Sequence, residues 1–373
     1  MTGFNMSDIK KEVVFITGGA GFIGSRLVRA LLAKDPSKEI WVFDNLHSQV
    51  HGVGAKEPIF PESVRFVKGD VTDADALQQA FLLAQPHLVY HLAAETGTGQ
   101  SYDEPVRYSA VNVMGTANLI GAIRLVGTVK QVILAASRAV YGEGGYQDAK
   151  GIEYTGLPRQ PEAMSCGDFS VPLPNGAPLP AKAIASHAGL AVAPASIYAS
   201  TKLMQEYLLV QAGDGAPWNT LILRFQNVYG PGQSLNNPYT GVLSIFSKRL
   251  LSGKGLAIFE DGEIARDFVY VDDVVESLVL GGKASVAHGK IIDIGSGVAT
   301  KILDVAKELR KNLQRDELEI SISGEYRVGD IRYSCANIEG ARALLNWTPQ
   351  VSIGEGVSNL AAWAKEEFSK GTL

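Results

Sequence analysis

VVFITGGAGFIG, at residues 13–24, is the stretch of this chain that decides its fold. Its first five residues are apolar or β-branched and predict a strand, and the glycines after them predict a tight turn. Apolar spacing from Arg26 to Leu32 then predicts a helix. A strand, a glycine turn and a helix in this order leave free backbone N–H groups at the helix N-terminus, where doubly wound folds bind the pyrophosphate of a dinucleotide.

The glycine run also indicates which dinucleotide is bound. Gly18, Gly19, Gly21 and Gly24 satisfy both GxGxxG and GxxGxxG spacing. Asp44 ends the next predicted strand, over residues 40–43, where a carboxylate suits adenosine ribose hydroxyls and repels a 2′-phosphate. The sequence therefore predicts NAD rather than NADP. The alternative is an ordinary glycine turn with an unrelated loop aspartate, which the strand–turn–helix context disfavours.

Short apolar runs alternate with amphipathic stretches through the first two-thirds of the chain. Because the apolar runs are nearly continuous, we expect parallel strands that helices cover on both faces. This pattern predicts the α/β class, with a doubly wound parallel sheet of the Rossmann type. Further strands are predicted at 64–67, 88–92, 131–135 and 221–225, and helices at 74–83 and 106–125.

The sequence predicts two parts of unequal size. Residues 1–228 form the predicted NAD-binding domain. Residues 229–373 form a smaller mixed α/β substrate lobe that ends in a helix near 354–368. Strand-like residues 267–271 and 291–294 are expected to return to the main part.

Residues 144–194 stand apart as an insertion rich in proline and glycine. Prolines at this density rule out a long helix or a central strand. We expect a long ordered loop, and loops of this length are usually functional or mobile. Covering the substrate, joining subunits and acting as a spacer all remain open.

Composition narrows the function classes. The chain has 34 Lys and Arg against 39 Asp and Glu, a net charge of −5, which argues against nucleic acid as the main partner. Cys166 and Cys335 lack metal-ligand spacing, so no metal site is expected; free thiols are favoured over a disulfide. Residues 1–12 lack a signal sequence and no apolar run reaches membrane-span length, so we expect a cytoplasmic protein without a membrane partner.

Tyr198 and Lys202 are predicted to transfer protons. They stand at i and i+4, on one face of a helix, where an ammonium would lower the pKa of the phenol. Ser137 directly follows an apolar strand, at the edge of the sheet where doubly wound folds bind ligands. Its hydroxyl could bond the reacting oxygen, although capping of a turn is an equal alternative.

Together these motifs resemble the extended short-chain dehydrogenase/reductase family, in its NAD-dependent nucleotide-sugar epimerase/dehydratase branch. The resemblance covers nearly the whole chain. The matching stretches are 17–24, 91–94, 112–116, 137–142, 198–202, 223–230, 266–273 and 326–330.

The resemblance implies roles for individual residues. The catalytic residues would be Ser137, Tyr198 and Lys202. The NAD-binding residues would be Gly18, Gly21, Phe22, Ile23, Gly24, Asp44, Asn45, Asp70, Val71, Leu92, Ala93, Ala94, Asn112, Tyr198 and Lys202. The substrate-binding residues would be Thr96, Arg138, Asn227, Phe259, Arg266, Arg327 and Asp330, with the two later arginines gripping a diphosphate. Other interpretations stay open: a helix cap for Asp70, surface salt bridges for Arg266 and Arg327, and a core position for Phe259.

The residues after Ser137 bear on the choice of reaction. Arg138 and Ala139 stand where 4,6-dehydratases carry an Asp-Glu pair, so elimination lacks a general acid, and a decarboxylase lacks its acidic residue. What remains is 4-epimerisation through a 4-keto sugar, or net oxidation or reduction as in a keto-sugar reductase. A non-catalytic relative is disfavoured because both Tyr198 and Lys202 are present.

Similarities over shorter stretches imply a substrate, and the family resemblance implies an oligomeric state. Residues 137–144, the insertion and residues 234–241 are similar to dTDP-L-rhamnose 4-epimerase-type proteins, which implies dTDP-L-rhamnose and dTDP-6-deoxy-L-talose. A UDP-hexose remains the alternative. The family resemblance also implies a homodimer, built here from the helices starting near Val106 and Ala199.

Overall fold

The computed structural model describes residues 12–52, 54–174, 181–237 and 241–370. Its strands are β1 (Val13–Thr17), β2 (Glu39–Asp44), β3 (Val64–Lys68), β4 (Leu88–His91), β5 (Gln131–Ser137), β6 (Gly145–Gln147), β7 (Glu153–Thr155), β8 (Lys182–Ile184), β9 (Asn219–Phe225), β10 (Asn227–Tyr229), β11 (Leu256–Ile258), β12 (Ala265–Tyr270), β13 (Lys290–Ile294), β14 (Ala299–Lys301) and β15 (Ile320–Ile322). Its helices are α1 (Phe22–Lys34), α2 (Ser48–His51), α3 (Ala74–Ala84), α4 (Thr98–Asp103), α5 (Pro105–Tyr108), α6 (Gly115–Val126), α7 (Pro161–Ser165), α8 (Ile197–Gly213), α9 (Val242–Leu251), α10 (Val271–Gly281), α11 (Ile302–Leu313), α12 (Glu339–Leu345) and α13 (Ile353–Ser369).

Within the described residues, seven parallel strands form the main sheet in the order β13-β9-β5-β4-β1-β2-β3. Helices α1, α10 and α12 pack on one face, and α3, α6 and α8 pack on the other. Each face buries apolar side chains from the same strands, which explains why the strands are apolar along their length. The predicted doubly wound α/β fold is therefore confirmed.

The strand order reverses between β1 and β4. Thr17, Asp44, His91 and Ser137 are the last residues of β1, β2, β4 and β5, so all four lie at one edge of the sheet. A crevice opens at the carboxyl ends of strands where such an order reverses. The topology therefore brings together residues that are far apart in the chain.

The C-terminal part adds smaller sheets. β13 joins the main sheet beside β9, as expected for residues 291–294. The expected return of residues 267–271 is wrong: β12 pairs with β10 and β14 in a separate sheet. Neither edge of β9 is available to β12, because β5 and β13 occupy both. Division of the chain at residue 228 stays a prediction.

The insertion at 144–194 is more regular than the predicted loop. Its described residues form a three-stranded antiparallel sheet in the order β7-β6-β8, and the short helix α7. Its two ends lie together, since the backbone N–H of Ala193 donates to the carbonyl of Val140 at 2.9 Å. Three-residue strands carry too little periodicity to be recognised between prolines.

The chain is helical from Pro105 to Val126, through a π-helical turn at Ser109–Met114. By length and composition alone this helix could cross a membrane, although no single apolar run suggested it. Core helices of soluble proteins pass the same test, and α6 packs against α3 and α8. Val106 and Met114 are exposed on its outer side.

Candidate active site

A cleft of about 380 Å³ opens at the carboxyl edge of the main sheet. It runs from the glycine turn after β1 to the first turn of α8. Most of the predicted cofactor and catalytic residues line it together: Gly18, Gly21, Phe22, Ile23, Gly24, Asp44, Asn45, Val71, Leu92, Ala93, Ala94, Ser137, Tyr198 and Lys202. Thr96, predicted to bind substrate, lines the same cleft. It also contains residues that the sequence did not single out, including His47, Glu95, Phe225, Gln226 and Gln233.

In the glycine turn, backbone segments approach each other too closely for side chains at two positions. Gly18 has a φ of +71°, and a Cβ there would lie 2.7 Å from the backbone N of Ala93. A Cβ at Gly24 would lie 2.3 Å from the carbonyl oxygen of Gly18. Both positions therefore require glycine if α1 is to begin against the end of β1.

Asp44 closes the other end of this turn. It is 8% exposed, and its two oxygens accept hydrogen bonds from the backbone N–H groups of Ala20 and Leu46, at 3.0 and 2.9 Å. These bonds hold the carboxylate at the rim of the cleft, beside the glycine turn. Its place after β2 matches the position that recognises ribose hydroxyls.

Two residues predicted to bind the cofactor, Asn112 and Asp70, are not among the described residues that line the cleft. Asn112 accepts from the backbone N–H of Glu95 at 2.8 Å and donates to the Thr201 hydroxyl at 2.9 Å, so it ties the loop after β4 to α8. Asp70 accepts from Asn45 at 2.7 Å. Burial raises its pKa, but hydrogen bonds from Thr72 and Asn45 outweigh burial and hold the pKa of Asp70 below its usual value. The N-cap of α3 is Asp73, not Asp70.

Ser137 and Tyr198 meet in the cleft. The Ser137 hydroxyl accepts from the backbone N–H of Ala139 at 3.2 Å, so this residue both caps a 3₁₀ turn and lines the site. The Tyr198 ring lies edge-on to Tyr108, with 6.4 Å between ring centroids. Desolvation raises the pKa of Tyr198; the Ser137 hydroxyl and the charge of Arg138 lower it, but burial prevails. The sequence prediction that Lys202 lowers this pKa below its ordinary value is thus opposite in direction to the structure.

Lys202 is held by groups that sequence reasoning missed. Its ammonium donates to the carbonyl of Ala135 at 2.7 Å and to the Gln205 side chain at 2.6 Å. Gln205 in turn donates to the Thr116 hydroxyl at 2.9 Å. Burial lowers the pKa of Lys202 to about 8, against the opposing charge of Glu206. Spacings of three and four residues after Lys202 are the signal that could have identified Gln205 and Glu206.

His91 is an uncharged residue that joins this hydrogen-bond network through the Thr116 hydroxyl. It is 1% exposed, and its ring nitrogens lie 2.7 Å from the Thr17 hydroxyl and 2.9 Å from that of Thr116. Burial and the charge of Lys202 lower the pKa of His91 to about 3. The ring therefore stays uncharged and supports β1 and α6 rather than exchanging protons with the cleft.

We expect NAD affinity to weaken as the pH rises through about 8, because Lys202, predicted to bind the nicotinamide ribose, then loses the charge that would strengthen those hydrogen bonds. Calorimetric titration of NAD into protein stripped of NAD, on either side of that pH, measures the effect. The Lys202→Met variant should bind more weakly and show no such pH dependence. The same pH dependence in that variant would assign it to another group.

Two further predicted substrate residues, Arg266 and Asp330, form an ion pair. Arg266 is 4% exposed and donates to Asp330 at 2.5 Å and to the carbonyl of Ile331 at 2.6 Å, so the arginine is buried while the Asp330 side chain is partly exposed. Burial, followed by the charge of Arg266, lowers the pKa of Arg138 to about 10, whereas the charges of Asp330 and Tyr198 raise it. Arg138 therefore interacts electrostatically with both Tyr198 and Arg266.

A second, more open pocket of about 610 Å³ lies at the far end. Phe259 and Arg327 line it, together with residues 323–326. The Arg327 guanidinium lies 4.8 Å from the centre of the Phe259 ring, which is partly exposed rather than in the core. Asn227 begins β10, and its side-chain oxygen is buried with no hydrogen-bond partner among the described residues.

The chain matches the family model described as the NAD dependent epimerase/dehydratase family over residues 14–163 and 174–295. It is 38% identical over 373 residues to the dTDP-L-rhamnose 4-epimerase of Burkholderia thailandensis, with 99% of each chain covered. It is 32% identical over 346 residues to the UDP-glucose 4-epimerase of Mycolicibacterium smegmatis, covering 92% of this chain and 95% of that one. The crystal structure of UDP-glucuronic acid 4-epimerase from Bacillus cereus, in complex with UDP-glucuronic acid and NAD, matches with a TM-score of 0.76 and 26% identity, covering 95% of this chain and 99% of that one. The chain therefore belongs to the NAD-dependent epimerase/dehydratase family, which confirms the resemblance predicted from its motifs.

Proposed function

We propose that this protein is an NAD-dependent nucleotide-sugar 4-epimerase that works through a transient 4-keto sugar. The observation that carries the proposal is that Ser137, Tyr198 and Lys202 line the same cleft as the glycine turn and Asp44. A proton-transfer group and a dinucleotide cradle in one cleft suit reversible oxidation of a sugar hydroxyl.

The cleft fits NAD by its shape and its charge. Gly18 and Gly24 let the turn pack against the backbone after β4 and let α1 begin against the turn, because a Cβ at either position would meet backbone atoms. Asp44 places a buried carboxylate where a 2′-phosphate would be repelled. When bound, NAD accepts a hydride from the sugar carbon and returns it.

Tyr198 takes the proton of the C4 hydroxyl and gives it back when the keto group is reduced. The hydroxyl of Ser137 and the charge of Arg138 both favour its phenolate form, against the cost of desolvation. Lys202, fixed by Ala135 and Gln205, holds the ribose next to the reacting carbon. Each role is a short-range contact within one cleft.

Epimerisation requires that the nucleotide stays held while the keto sugar turns over. Arg266 and Arg327 supply guanidinium groups for a diphosphate at the far end. Beside Ser137 the cleft is lined by Ala135 and Ala136, whose side chains form no hydrogen bonds that would hold a sugar ring in one orientation. Firm contacts to the diphosphate and weak contacts to the sugar suit epimerisation better than a net reaction.

We propose dTDP-L-rhamnose and dTDP-6-deoxy-L-talose as the substrate pair. Support comes from the 38% identity over the full length to a dTDP-L-rhamnose 4-epimerase. The similarity to a UDP-glucose 4-epimerase at 32% identity supports a UDP-hexose as the alternative. A keto-sugar reductase would use the same residues but would exchange its cofactor in each turnover.

Heat release of NAD, followed by an NMR assay with dTDP- and UDP-sugars, tests the function. We expect the purified protein to carry NAD and to interconvert the two C4 epimers of one nucleotide sugar without added cofactor. Stoichiometric consumption of added NADH, with no epimer formed, would instead identify a reductase. Activity on UDP-hexoses alone would correct the substrate and leave the reaction unchanged.

We also propose a homodimer formed by the helical stretch 105–126 and α8. Val106 and Met114 on the first, and Met204 and Tyr207 on the second, are more than two-fifths exposed. A second copy would cover these apolar side chains. A purely monomeric profile in sedimentation at micromolar concentration would contradict this.

The proposed setting is the cytoplasm, with a nucleotide sugar as partner and neither nucleic acid nor membrane. Both cysteines are free thiols: Cys166 is exposed and Cys335 is buried. Free thiols and a net charge of −5 support this setting. Fractionation of cells that produce the protein measures it directly.

A further inference from the structure

Arg159, in the insertion, is a buried cation with three acceptors. Its side chain is 2% exposed. Nε donates to Glu143 at 2.8 Å, one terminal nitrogen donates to Glu260 at 2.7 Å, and the other donates to the carbonyl of Asp330 at 2.8 Å. The three bonds use all sides of the planar guanidinium, so its position is fixed relative to three separate segments.

Two of these acceptors adjoin the residues that face the open pocket. Glu260 directly follows Phe259, and its backbone N–H donates to the carbonyl of Glu325 at 2.7 Å. Asp330 closes the turn that carries Arg327, through a backbone bond of 3.2 Å to the Arg327 carbonyl. Arg159 therefore joins the two turns whose side chains, Phe259 and Arg327, stack on each other.

The same cluster reaches Arg266. The carbonyl of Asp330 accepts from Arg159, while its carboxylate accepts from Arg266. Arg332 extends the cluster, because its backbone N–H donates to Glu143 at 2.7 Å and its side chain donates to Glu260 at 2.8 Å. Moving Arg159 would thus disturb the segment on both sides of Asp330.

Other contacts of the insertion follow the same segment. The Tyr326 hydroxyl donates to the carbonyl of Pro161 at 3.2 Å. Ser186 exchanges backbone hydrogen bonds of 2.8 Å with Cys335 and Asn337. Described residues of the insertion therefore contact the segment 326–337 near both of its ends.

A buried ion cluster of this kind is weak support for overall stability. Taking charges out of water costs about as much as their pairing returns, and apolar replacements are often neutral. Its directional bonds do fix geometry. The carboxylates of Glu143 and Glu260 outweigh the effect of burial and raise the pKa of Arg159, so the charge is permanent.

We propose that Arg159 is a positioning residue, by which the insertion holds the Phe259 and Arg327 turns in the geometry that binds the nucleoside diphosphate end of the substrate. The proposal rests on the proposed function, since it concerns the same substrate. It gives the insertion a role: through Arg159 it supports substrate affinity without touching the reacting sugar or NAD.

Two variants test this, each compared with the wild-type holoenzyme. Arg159→Met removes the charge. Arg159→Lys keeps the charge but lacks the planar fork that reaches three acceptors at once, so it still tests positioning if the first variant fails to fold. Loss of one charge-assisted bond to each turn should raise KM, and the Kd of dTDP or UDP measured by calorimetry, by roughly tenfold or more. The value of kcat and the NAD content should not change. Lys150→Met, at an exposed lysine of the insertion, is the matched control.

The split between KM and kcat separates positioning from a purely structural role. Lower thermal stability and lower NAD content, with unchanged KM and nucleotide Kd in the folded Arg159→Lys protein, would overturn the inference. So would a fall in kcat alone. Wild-type protein that binds neither dTDP nor UDP would overturn the proposed function itself, because this binding assay does not depend on turnover.

Discussion

Tyr198→Phe is expected to lower kcat for epimerisation by about 10²- to 10⁴-fold, the usual contribution of a general acid–base group. The variant removes only the phenol oxygen, so no group remains to take the C4 proton. The ring still packs edge-on against Tyr108, and therefore the fold and the NAD content should be preserved. NMR detection of the two epimers, with released NAD measured in parallel, gives both quantities.

The control is Tyr207→Phe, which removes a hydroxyl from an exposed tyrosine of the same helix and should leave kcat unchanged. The pH dependence provides a second check. Because desolvation raises the pKa of Tyr198, its base form becomes more populated as the pH rises, and with NAD saturating, kcat/KM should rise with it. The residual rate of Tyr198→Phe should lose this rise. Near-full activity of Tyr198→Phe would contradict the proposed mechanism.

Gly24→Ala is expected to abolish NAD retention and, with it, activity. Its Cβ would lie 2.3 Å from the Gly18 carbonyl oxygen and 2.6 Å from the Cα of Gly19. Both neighbours are backbone atoms of the turn, so α1 can accommodate the methyl group only by moving away from β1. That movement takes the N–H groups of the helix away from the pyrophosphate. Heat release and assay of bound NAD measures the loss.

Gly340→Ala provides the comparison within a helix. Gly340 is exposed near the start of α12, and a Cβ there would meet no heavy atom of the described residues within 4 Å. This change should raise the free energy of unfolding by roughly 0.5–1 kcal/mol, the ordinary gain from glycine to alanine in a helix. Equal NAD retention by both variants would show that the turn does not need glycine at position 24.

Sequence sufficed for features that depend on local spacing. The glycine turn follows β1, and Asp44 and Ser137 end β2 and β5, so predicting the strands also placed these residues at one edge. The i, i+4 spacing of Tyr198 and Lys202 likewise predicted that they share one face of a helix. The doubly wound fold then determines that these distant residues share a cleft.

What sequence missed depends on contacts between distant segments. Arg159 was one charged residue among prolines, and nothing nearby indicated that Glu260 and Asp330 would surround it. The pairing of β12 depends on which strand edges remain free after the main sheet has formed. The pKa direction of Tyr198 depends on how much solvent the folded cleft removes, which spacing to Lys202 does not reveal.

The two ends of the insertion lie side by side, so its residues form an excursion from the rest of the chain. From the 3₁₀ turn that follows β5, the chain departs at Val140 and comes back beside it at Ala193, where a backbone hydrogen bond of 2.9 Å joins the two residues. Ser137 precedes this excursion and Tyr198 follows it, so the excursion is interposed between the two proposed catalytic groups while its own ends stay together. Exchanging the whole excursion between these two points would therefore alter the contacts to residues 326–337 and leave the end of β5 and the start of α8 in place.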